Sequence, residues 1–109
     1  MTRARRVDAN QARIVAALRR VGCRVLHLHT VGAGCPDILV ALGKRLVLME
    51  IKDGSLPPSA RRLTPAEQRF HDLWHGHVVV ISSVDDALEW VRGGQTVAWR
   101  RNTQTKGGI

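Results

Sequence analysis

The alternation of apolar and polar residues is clearest in the middle of the chain, where it predicts a β-hairpin. Two apolar runs flank Gly43-Lys44, a dipeptide that suits a tight turn. The predicted strands cover residues 37–42 and 45–52. If the turn centres on this dipeptide, Asp37 faces Glu50 across the hairpin. Two acidic residues then lie together at one end of an otherwise apolar element.

The rest of the chain shows helical and strand patterns in a regular order. Before Gly22, apolar residues recur at the spacings of an amphipathic helix. Thr64, Pro65 and Glu67 have the arrangement of a helix start, with a capping box and a proline in the first turn. The predicted elements are helices over 9–22, 64–75 and 83–92, strands over 24–30 and 78–82, and connecting segments over 31–36 and 53–63.

The element order is therefore α-β-β-β-α-β-α, which predicts an α/β fold. The strand after the middle helix can join the hairpin through a parallel crossover, which gives a mixed sheet. Both faces of strand 45–52 are apolar, so helices are expected on both faces of the sheet. In the middle helix, an apolar stripe is expected to face the core; it comprises Ala66, Phe70, Leu73 and Trp74. We expect a single domain over 1–92 and a basic, flexible tail over 93–109.

The end of the hairpin carries three charged residues on one face. Side chains alternate along a strand, so Asp37, Glu50 and Lys52 project from the same side. Like charges that face each other destabilise a sheet, and two carboxylates in this position need a cation between them. Lys52 is one candidate and a divalent metal is the better one, because hard cations bind carboxylate oxygens. The alternative is a purely structural role, in which Asp37 caps a turn and Glu50 forms a salt bridge with Lys52 at the rim of the sheet.

The charge balance indicates a polyanionic partner. The chain has 109 residues, a net charge of +8 and a pI of about 11.3, and these values favour nucleic acid. A basic protein associated with a ribosome or a membrane surface, or a charge that serves solubility, is the alternative. The basic residues are 14 Arg and only 3 Lys. A lysine at position 52 is therefore less expected as a generic positive charge.

Several other classes of protein are disfavoured. No apolar run reaches the roughly 20 residues of a membrane span, and the basic N-terminus leads into an amphipathic segment, unlike a signal peptide. Cys23 and Cys35 do not make a disulfide framework. No Cys-x-x-Cys motif accompanies the histidines, which disfavours a zinc site. We expect an intracellular protein, in the cytoplasm of a bacterium or of a phage-infected host.

The charged residues also carry a family resemblance. Pro36-Asp37, followed by 12 residues and then Glu50-Ile51-Lys52, resembles the PD-(D/E)XK signature of the restriction-endonuclease-like nucleases. The longer pattern GxPDxLV…G…V…ExK…G…LxxxQ…H…L…G…VxVxS is similar to that of the VRR-NUC family of small phage and bacterial nucleases. The likeness extends over about residues 8–91. It implies a restriction-endonuclease-like fold and metal-dependent nuclease activity.

The resemblance also implies roles for individual residues. Asp37 and Glu50 would hold Mg²⁺ or Mn²⁺ together with the backbone carbonyl of Ile51. Lys52 would position or deprotonate the attacking water, or stabilise charge in the transition state. The family often has a metal-supporting Glu in the first helix, where this chain has Gln11. The neighbouring Asp8 is an alternative for that role, and an Asp8-x-x-Gln11 capping box is an alternative account of both residues.

The resemblance implies two further features. Gln68 in the middle helix matches the family's glutamine, with a role at the metal or the substrate phosphate; an ordinary exposed glutamine is its alternative. The family resemblance also favours a homodimer, with Trp90 and Trp99 as candidate contacts, although Trp99 would equally suit stacking on a base. The predicted nucleic-acid contacts are Arg5, Arg6, Arg61, Arg62 and Arg69.

Three functions remain compatible with these patterns. The first is a metal-dependent endonuclease that hydrolyses DNA phosphodiester bonds, selective for a structure such as a junction or a flap. The second is a catalytically idle nucleic-acid-binding module, and the third is a nuclease subunit of a larger restriction or repair complex. The intact set Asp37, Glu50 and Lys52 favours an enzyme, because a module that only binds has no use for all three.

Overall fold

A computed structural model describes residues 2–93, with side chains from residue 9 onward. The elements are α1 (Thr2–Arg20), β1 (Arg24–His27), β2 (Ile38–Leu42), β3 (Arg45–Ile51), a 3-10 helix (Pro58–Arg61), α2 (Pro65–Leu73), β4 (Val78–Ile81) and α3 (Val84–Val91). This is the predicted order, with the 3-10 helix inside the predicted connecting segment. No helix in the described part of the chain has both the length and the hydropathy that a membrane crossing requires.

The four strands form one mixed sheet in the order β1-β2-β3-β4. The first three strands are antiparallel, and β4 runs parallel to β3 after the crossover through α2. Leu42 pairs with Arg45 and Leu39 pairs with Leu48, so the predicted hairpin register is confirmed. Gly43 adopts a φ of +62° in the turn. This left-handed conformation favours glycine, which is how the local sequence fixes the register of the whole hairpin.

The core lies between one face of this sheet and the two helices α1 and α3. Both helices contribute apolar side chains that meet every second residue of the strands, as the strand periodicity requires. The largest contributors with little or no exposed surface are Ile14, Leu18, Ile38, Val40, Val47, Met49, Val79, Ile81 and Trp90. Leu48, Glu50 and Lys52 alternate with these residues along β3 and its continuation. Their side chains therefore project from the opposite face, beside α2.

Two element boundaries differ from the prediction by more than two residues. The first helix begins at Thr2 instead of residue 9, so Asp8 lies inside α1. A residue inside a helix cannot be its N-cap, and the alternative of an Asp8-x-x-Gln11 capping box is therefore wrong. The first strand ends at His27 instead of continuing to residue 30. The Leu28 N–H still donates to the Asp37 carbonyl at 2.8 Å, and the chain then turns, with the Val31 N–H donating to the Leu28 carbonyl at 3.0 Å.

The expectation that the apolar stripe of α2 faces the core is wrong. None of the residues of α2, all of which the structure describes, is buried. Leu73 is 67% exposed, and Trp74, which caps the helix, is 49% exposed. Periodicity shows which side chains share a helix face, but it does not show whether another element covers that face. The predicted domain boundary at residue 92 stays a prediction, and residues 94–109 of the predicted tail lie outside the described part.

Candidate active site

The two acidic residues of the hairpin meet at the end of β3. Asp37 lies one residue before β2, and its Oδ2 atom accepts a hydrogen bond from the backbone N–H of Ile51 at 2.7 Å. Glu50 precedes Ile51 on the strand, and its carboxylate is close enough for the charge of Asp37 to raise its pKa. The structure thus brings together Asp37, Glu50 and Ile51, which the sequence placed at one end of the hairpin.

The backbone of Ile51 also offers a carbonyl toward this point. Extending the β2–β3 register by two residues places Pro36 opposite Ile51. Hydrogen-bonded pairs recur at every second position from Leu42–Arg45 next to the turn, so Pro36 and Ile51 occupy a hydrogen-bonded position. Proline has no N–H and cannot donate to the ladder. The Ile51 N–H is taken by Asp37 instead. The Ile51 carbonyl therefore receives no ladder hydrogen bond from Pro36 and points to the side where Asp37 lies.

Glu50 is an unusually buried acid. It is 3% exposed, and its Oε1 atom is fully buried without a hydrogen-bond partner among the described residues. Burial raises the pKa of Glu50 to about 9, with further contributions from the negative charges of Asp37 and Glu67, while Lys52 acts in the opposite direction. A buried carboxyl with a free oxygen is a costly feature unless a ligand completes it. At neutral pH, Glu50 is therefore expected either to be protonated or to bind a cation.

Lys52 projects from the end of the same strand and lies between two carboxylates. Its ammonium nitrogen is 2.8 Å from Glu67 Oε1 and 3.8 Å from Glu50 Oε2. About 16% of the Lys52 side chain is exposed, so the ion pairs are screened only in part by water. The ammonium group is thus held at a fixed place beside the acidic residues.

Glu67 is a site residue that the sequence analysis missed. It closes the predicted capping box of α2, because its Oε1 atom also accepts the Thr64 N–H at 2.8 Å. Burial raises the pKa of Glu67, but the hydrogen bonds from Lys52 and from the Thr64 backbone outweigh it and the net pKa is lowered. In the sequence, the capping box was a sufficient explanation for this glutamate. A second role could have been inferred because a carboxylate accepts several hydrogen bonds, so a capping residue can also bind a second donor.

The first helix approaches the site through Asn10 instead of Gln11. The Asn10 side-chain amide donates to the Lys52 carbonyl at 2.7 Å, whereas the Gln11 amide nitrogen lies 3.2 Å from Nδ1 of His27. Neighbouring residues on a helix point about 100° apart, so a shift of one position decides which side chain reaches the strand end. Asn10 was also missed by the sequence analysis. The metal-supporting role of Gln11 stays a prediction.

The remaining predicted residues lie around the site. The Gln68 amide donates to Asp72 at 2.8 Å on the exposed side of α2, one residue beyond Glu67. Arg61 ends the 3-10 helix and Arg62 follows it, with Arg62 exposed. Arg69 is exposed on α2. The side chains of Arg5 and Arg6 lie outside the described part of α1, and Trp99 lies outside the described residues. The prediction of a dimer contact through Trp90 is wrong, because this side chain is buried in the core of the chain.

The loop before Asp37 is packed closely against the first turn of α2. Gly34 has a φ of +77°, and a Cβ atom at this position would lie 2.2 Å from the Ala66 carbonyl oxygen. Only glycine allows this approach of two backbones. The neighbouring Cys35 has a raised pKa, first because of burial and then because of the charges of Glu50 and Asp37. The loop thus links the hairpin end to the helix that carries Glu67.

The donor set at this point fits a hard divalent cation. Asp37 and Glu50 would supply carboxylates and Ile51 a carbonyl, and the Oε1 atom of Glu50 has no hydrogen-bond partner among the described residues. Mg²⁺ is commonly bound by one or two carboxylates and keeps several of its waters. No cage of three or more His, Cys, Asp or Glu side chains is arranged for a metal within the residues that the structure describes. The site would therefore combine two carboxylates with backbone and water oxygens.

Comparison with known proteins supports the fold. A solved structure described as a VRR_NUC domain matches this chain with a probability of 1.00 and a TM-score of 0.59. The match covers 80% of this chain and 95% of that one, at 21% sequence identity. No protein-family model matches the sequence, and no curated protein matches it significantly. The fold implied by the sequence resemblance is therefore confirmed: this chain has the restriction-endonuclease-like fold of a VRR_NUC domain.

Proposed function

We propose that this protein is a metal-dependent endonuclease that hydrolyses DNA phosphodiester bonds. The observation that carries the proposal is the convergence of Asp37, Glu50 and Lys52, with a buried Glu50 oxygen that has no partner among the described residues. The Glu50–Lys52 ion pair involves Oε2 at 3.8 Å and leaves Oε1 without a hydrogen-bond partner among the described residues, which supports a ligand at this oxygen. The fold shared with a VRR_NUC domain agrees with this reading.

Asp37, Glu50 and the Ile51 carbonyl would hold Mg²⁺ or Mn²⁺, with Gln11 as a candidate outer support. When bound, such an ion neutralises phosphate charge and lowers the pKa of water. The Ile51 N–H fixes one oxygen of Asp37 at 2.7 Å, which leaves its other oxygen for the ion. A bound ion would favour the ionised form of Glu50, whose pKa burial and the neighbouring charges of Asp37 and Glu67 raise to about 9.

Lys52 would act on the phosphate or on the attacking water. Its ammonium group is already held by Glu67, and Asn10 holds the backbone carbonyl of the same residue, so little reorganisation is needed when negative charge develops on the phosphate. A lysine suits this place because it is a compact charge that can change its protonation state, which arginine cannot do. Gln68 keeps its predicted role at the substrate phosphate, for which its amide has a second hydrogen besides the one donated to Asp72.

Nucleic-acid affinity would come from the arginines. The net charge of +8 supports binding that weakens as salt increases, because each neutralised phosphate contributes about 0.9 to the logarithmic slope on duplex DNA. Arg61 and Arg62 lie in the segment that joins β3 to α2, and Arg69 lies on α2. Binding that did not change between low and moderate salt would contradict this part of the proposal.

A homodimer would bring two such sites to the two strands of a substrate. Leu26 and Leu46 are 61% and 57% exposed and lie on the sheet face that α1 and α3 leave uncovered. Through the pairs Leu26–Leu39 and Leu39–Leu48 this face is continuous with Glu50. An exposed apolar row of this kind suits a protein contact. Sedimentation at micromolar concentration tests the dimer. A wild-type protein that sediments as a monomer, or a dimer that Leu46→Ser leaves unchanged, would contradict this arrangement.

Cleavage of a panel of labelled DNA substrates tests the activity. The panel should contain single strands, plain duplex, nicked duplex, flaps and four-way junctions, each with Mg²⁺, Mn²⁺ or EDTA. We expect metal-dependent cleavage that Asp37→Asn abolishes and that Asp85→Asn, an exposed acid in the first turn of α3, leaves intact. Binding to DNA without cleavage of any substrate would instead favour the idle module or the subunit of a larger complex.

A further inference from the structure

The exposed face of α2 forms a groove next to the candidate active site. The groove has a volume of about 620 Å³ and is lined mainly by Pro65, Ala66, Phe70, Leu73 and Trp74. Phe70 and Trp74 stack on each other, with ring centroids 5.1 Å apart and planes 16° from parallel. About half of Trp74 remains exposed, so the aromatic pair is accessible to a further ring.

Charge decides between the possible occupants of this groove. Arg69 lines the groove beside the aromatic pair, and the whole chain carries a net charge of +8. A second copy of the chain would bring the same positive charge to this place. A nucleic-acid strand brings phosphates for Arg69 and flat bases for the two rings, and base stacking on aromatic side chains is largely independent of sequence.

The groove also begins where the candidate active site ends. Pro65 and Ala66 line the groove, and the next residue along the helix is Glu67, which holds Lys52 at 2.8 Å. From Glu67 to Trp74 the helix rises about 10 Å at 1.5 Å per residue. A stacked nucleic-acid strand covers this distance in about three nucleotides at 3.4 Å each. A strand whose phosphate lies near Lys52 could thus place a nearby base on Trp74.

We propose that the groove on α2 is a stacking platform for an unpaired base of the substrate strand. The inference rests on the proposed nuclease function and narrows its substrate class. In a continuous duplex both faces of each base are covered by neighbouring bases, so only a single-stranded or unpaired segment can use the platform. The enzyme would then favour flaps, junctions and single-stranded regions over plain duplex, with Trp74 as a specificity-determining residue.

Binding in EDTA tests the platform without any need for cleavage. Fluorescence anisotropy should be measured for a labelled oligothymidine and for a plain duplex of equal length, with wild-type protein, Trp74→Leu and Trp74→Phe. Trp74→Leu keeps an apolar side chain but removes the ring, so we expect single-strand affinity to fall about 5- to 150-fold, the range for one stacked base. Trp74→Phe should retain most of the affinity, and duplex affinity should be unchanged in both variants.

Two controls keep the result interpretable. Val21→Ala removes an exposed apolar side chain outside the groove and should leave both affinities unchanged. Arg69→Gln should lower the salt slope on the single strand by about 0.7, the value for one phosphate contact. Unchanged duplex binding and far-UV circular dichroism would show that Trp74→Leu is folded.

Three outcomes would overturn the platform. These are equal losses of single-strand and duplex affinity in Trp74→Leu, a Trp74→Phe variant as weak as Trp74→Leu, and an effect of Trp74→Leu on self-association alone. The nuclease proposal is judged separately, by cleavage with metal and its loss in Asp37→Asn. A protein that stacks single strands through Trp74 but cuts no DNA would refute the nuclease and retain the platform.

Discussion

The ammonium group of Lys52 donates to Glu67 Oε1 at 2.8 Å, and the same oxygen accepts the Thr64 N–H at 2.8 Å. One carboxylate therefore begins helix α2 and fixes the lysine at the end of β3. The two contacts come from segments on opposite sides of the loop that joins β3 to α2. The start of this helix and the position of Lys52 are thus set by the same side chain.

Replacing Lys52 tests whether this lysine acts in cleavage. We expect Lys52→Ala to lower the cleavage rate by about 10²–10³, as is typical for the loss of one positioned group at a developing charge. DNA affinity should change little, because many arginines supply it. Lys52→Arg should also be slow, since the guanidinium is larger and keeps its proton. Higher Mn²⁺ should partly rescue Glu50→Gln but not Lys52→Ala. Wild-type cleavage by Lys52→Ala would reduce the lysine to a salt-bridge residue.

The variant Glu67→Gln separates the two roles of Glu67. Glutamine also closes a capping box, so we expect the urea midpoint to fall less than in Thr64→Ala. The hydrogen bond to Lys52 loses its negative acceptor, and charge-assisted hydrogen bonds are about twice as strong as neutral ones. We expect cleavage to fall about tenfold, which corresponds to roughly 1.4 kcal/mol. Thr64→Ala, which removes the cap but keeps the carboxylate, should show the reverse: lower stability with a smaller effect on the rate.

The raised pKa of Glu50 predicts that the stability of the metal-free protein falls as pH rises. Its folded pKa is raised to about 9, so between pH 6.5 and 8 the native state keeps a proton that the unfolded chain has lost. Stability then decreases with increasing pH in this window. Urea unfolding in EDTA at the two pH values measures it. Glu50→Gln should remove most of the slope, and Mg²⁺ or Mn²⁺ should raise stability more at the higher pH. A slope that persists unchanged in Glu50→Gln would show another group to be responsible.

Two glycines of the loop before Asp37 form a matched pair for testing its packing. Gly34 and Gly32 have φ values of +77° and +81°, but only Gly34 lies against a neighbour, the backbone of Ala66. Gly32→Ala should cost about 1–2 kcal/mol from the left-handed conformation alone. Gly34→Ala adds a clash between backbones, so we expect a clearly larger loss of stability together with loss of cleavage. Equal effects of the two variants on stability and cleavage would show that the loop need not touch α2.

Arg45 predicts a stability effect far from the site. Its guanidinium donates to the carbonyls of Trp90 and Val91 at the end of α3 and lies 4.2 Å from the centre of the Trp90 ring. We expect Arg45→Ala to lower the free energy of unfolding by about 2 kcal/mol, through lost hydrogen bonds and the lost cation–π contact. Lys44→Ala, one residue earlier in the exposed turn, should have almost no effect. Cleavage per folded molecule should be unchanged in both.

The hairpin and the positions of Asp37, Glu50 and Lys52 were predictable because short-range rules determine them. The two-residue turn sets the register, and the period of two sets the face. Glu67 and Asn10 were not predictable in the same way. Each contacts Lys52 from an element whose placement depends on tertiary packing. Glu67 had a sufficient local explanation as a capping residue, and no local pattern singled out Asn10. For the same reason the apolar stripe with Leu73 and Trp74 was assigned to the core although nothing described covers it.

The exposed setting of α2 has a consequence for how the protein opens. A helix of nine residues without a buried side chain is marginal by itself, since isolated helices shorter than about 12–15 residues rarely persist in water. Much of what holds α2 in place therefore lies at its first turn. It consists of the ion pair between Glu67 and Lys52 and the close backbone contact between Gly34 and Ala66. The helix and the lysine then belong to one cooperative unit of local unfolding. Hydrogen exchange at the amides of α2 and proton binding at the site would therefore report the same local unfolding event.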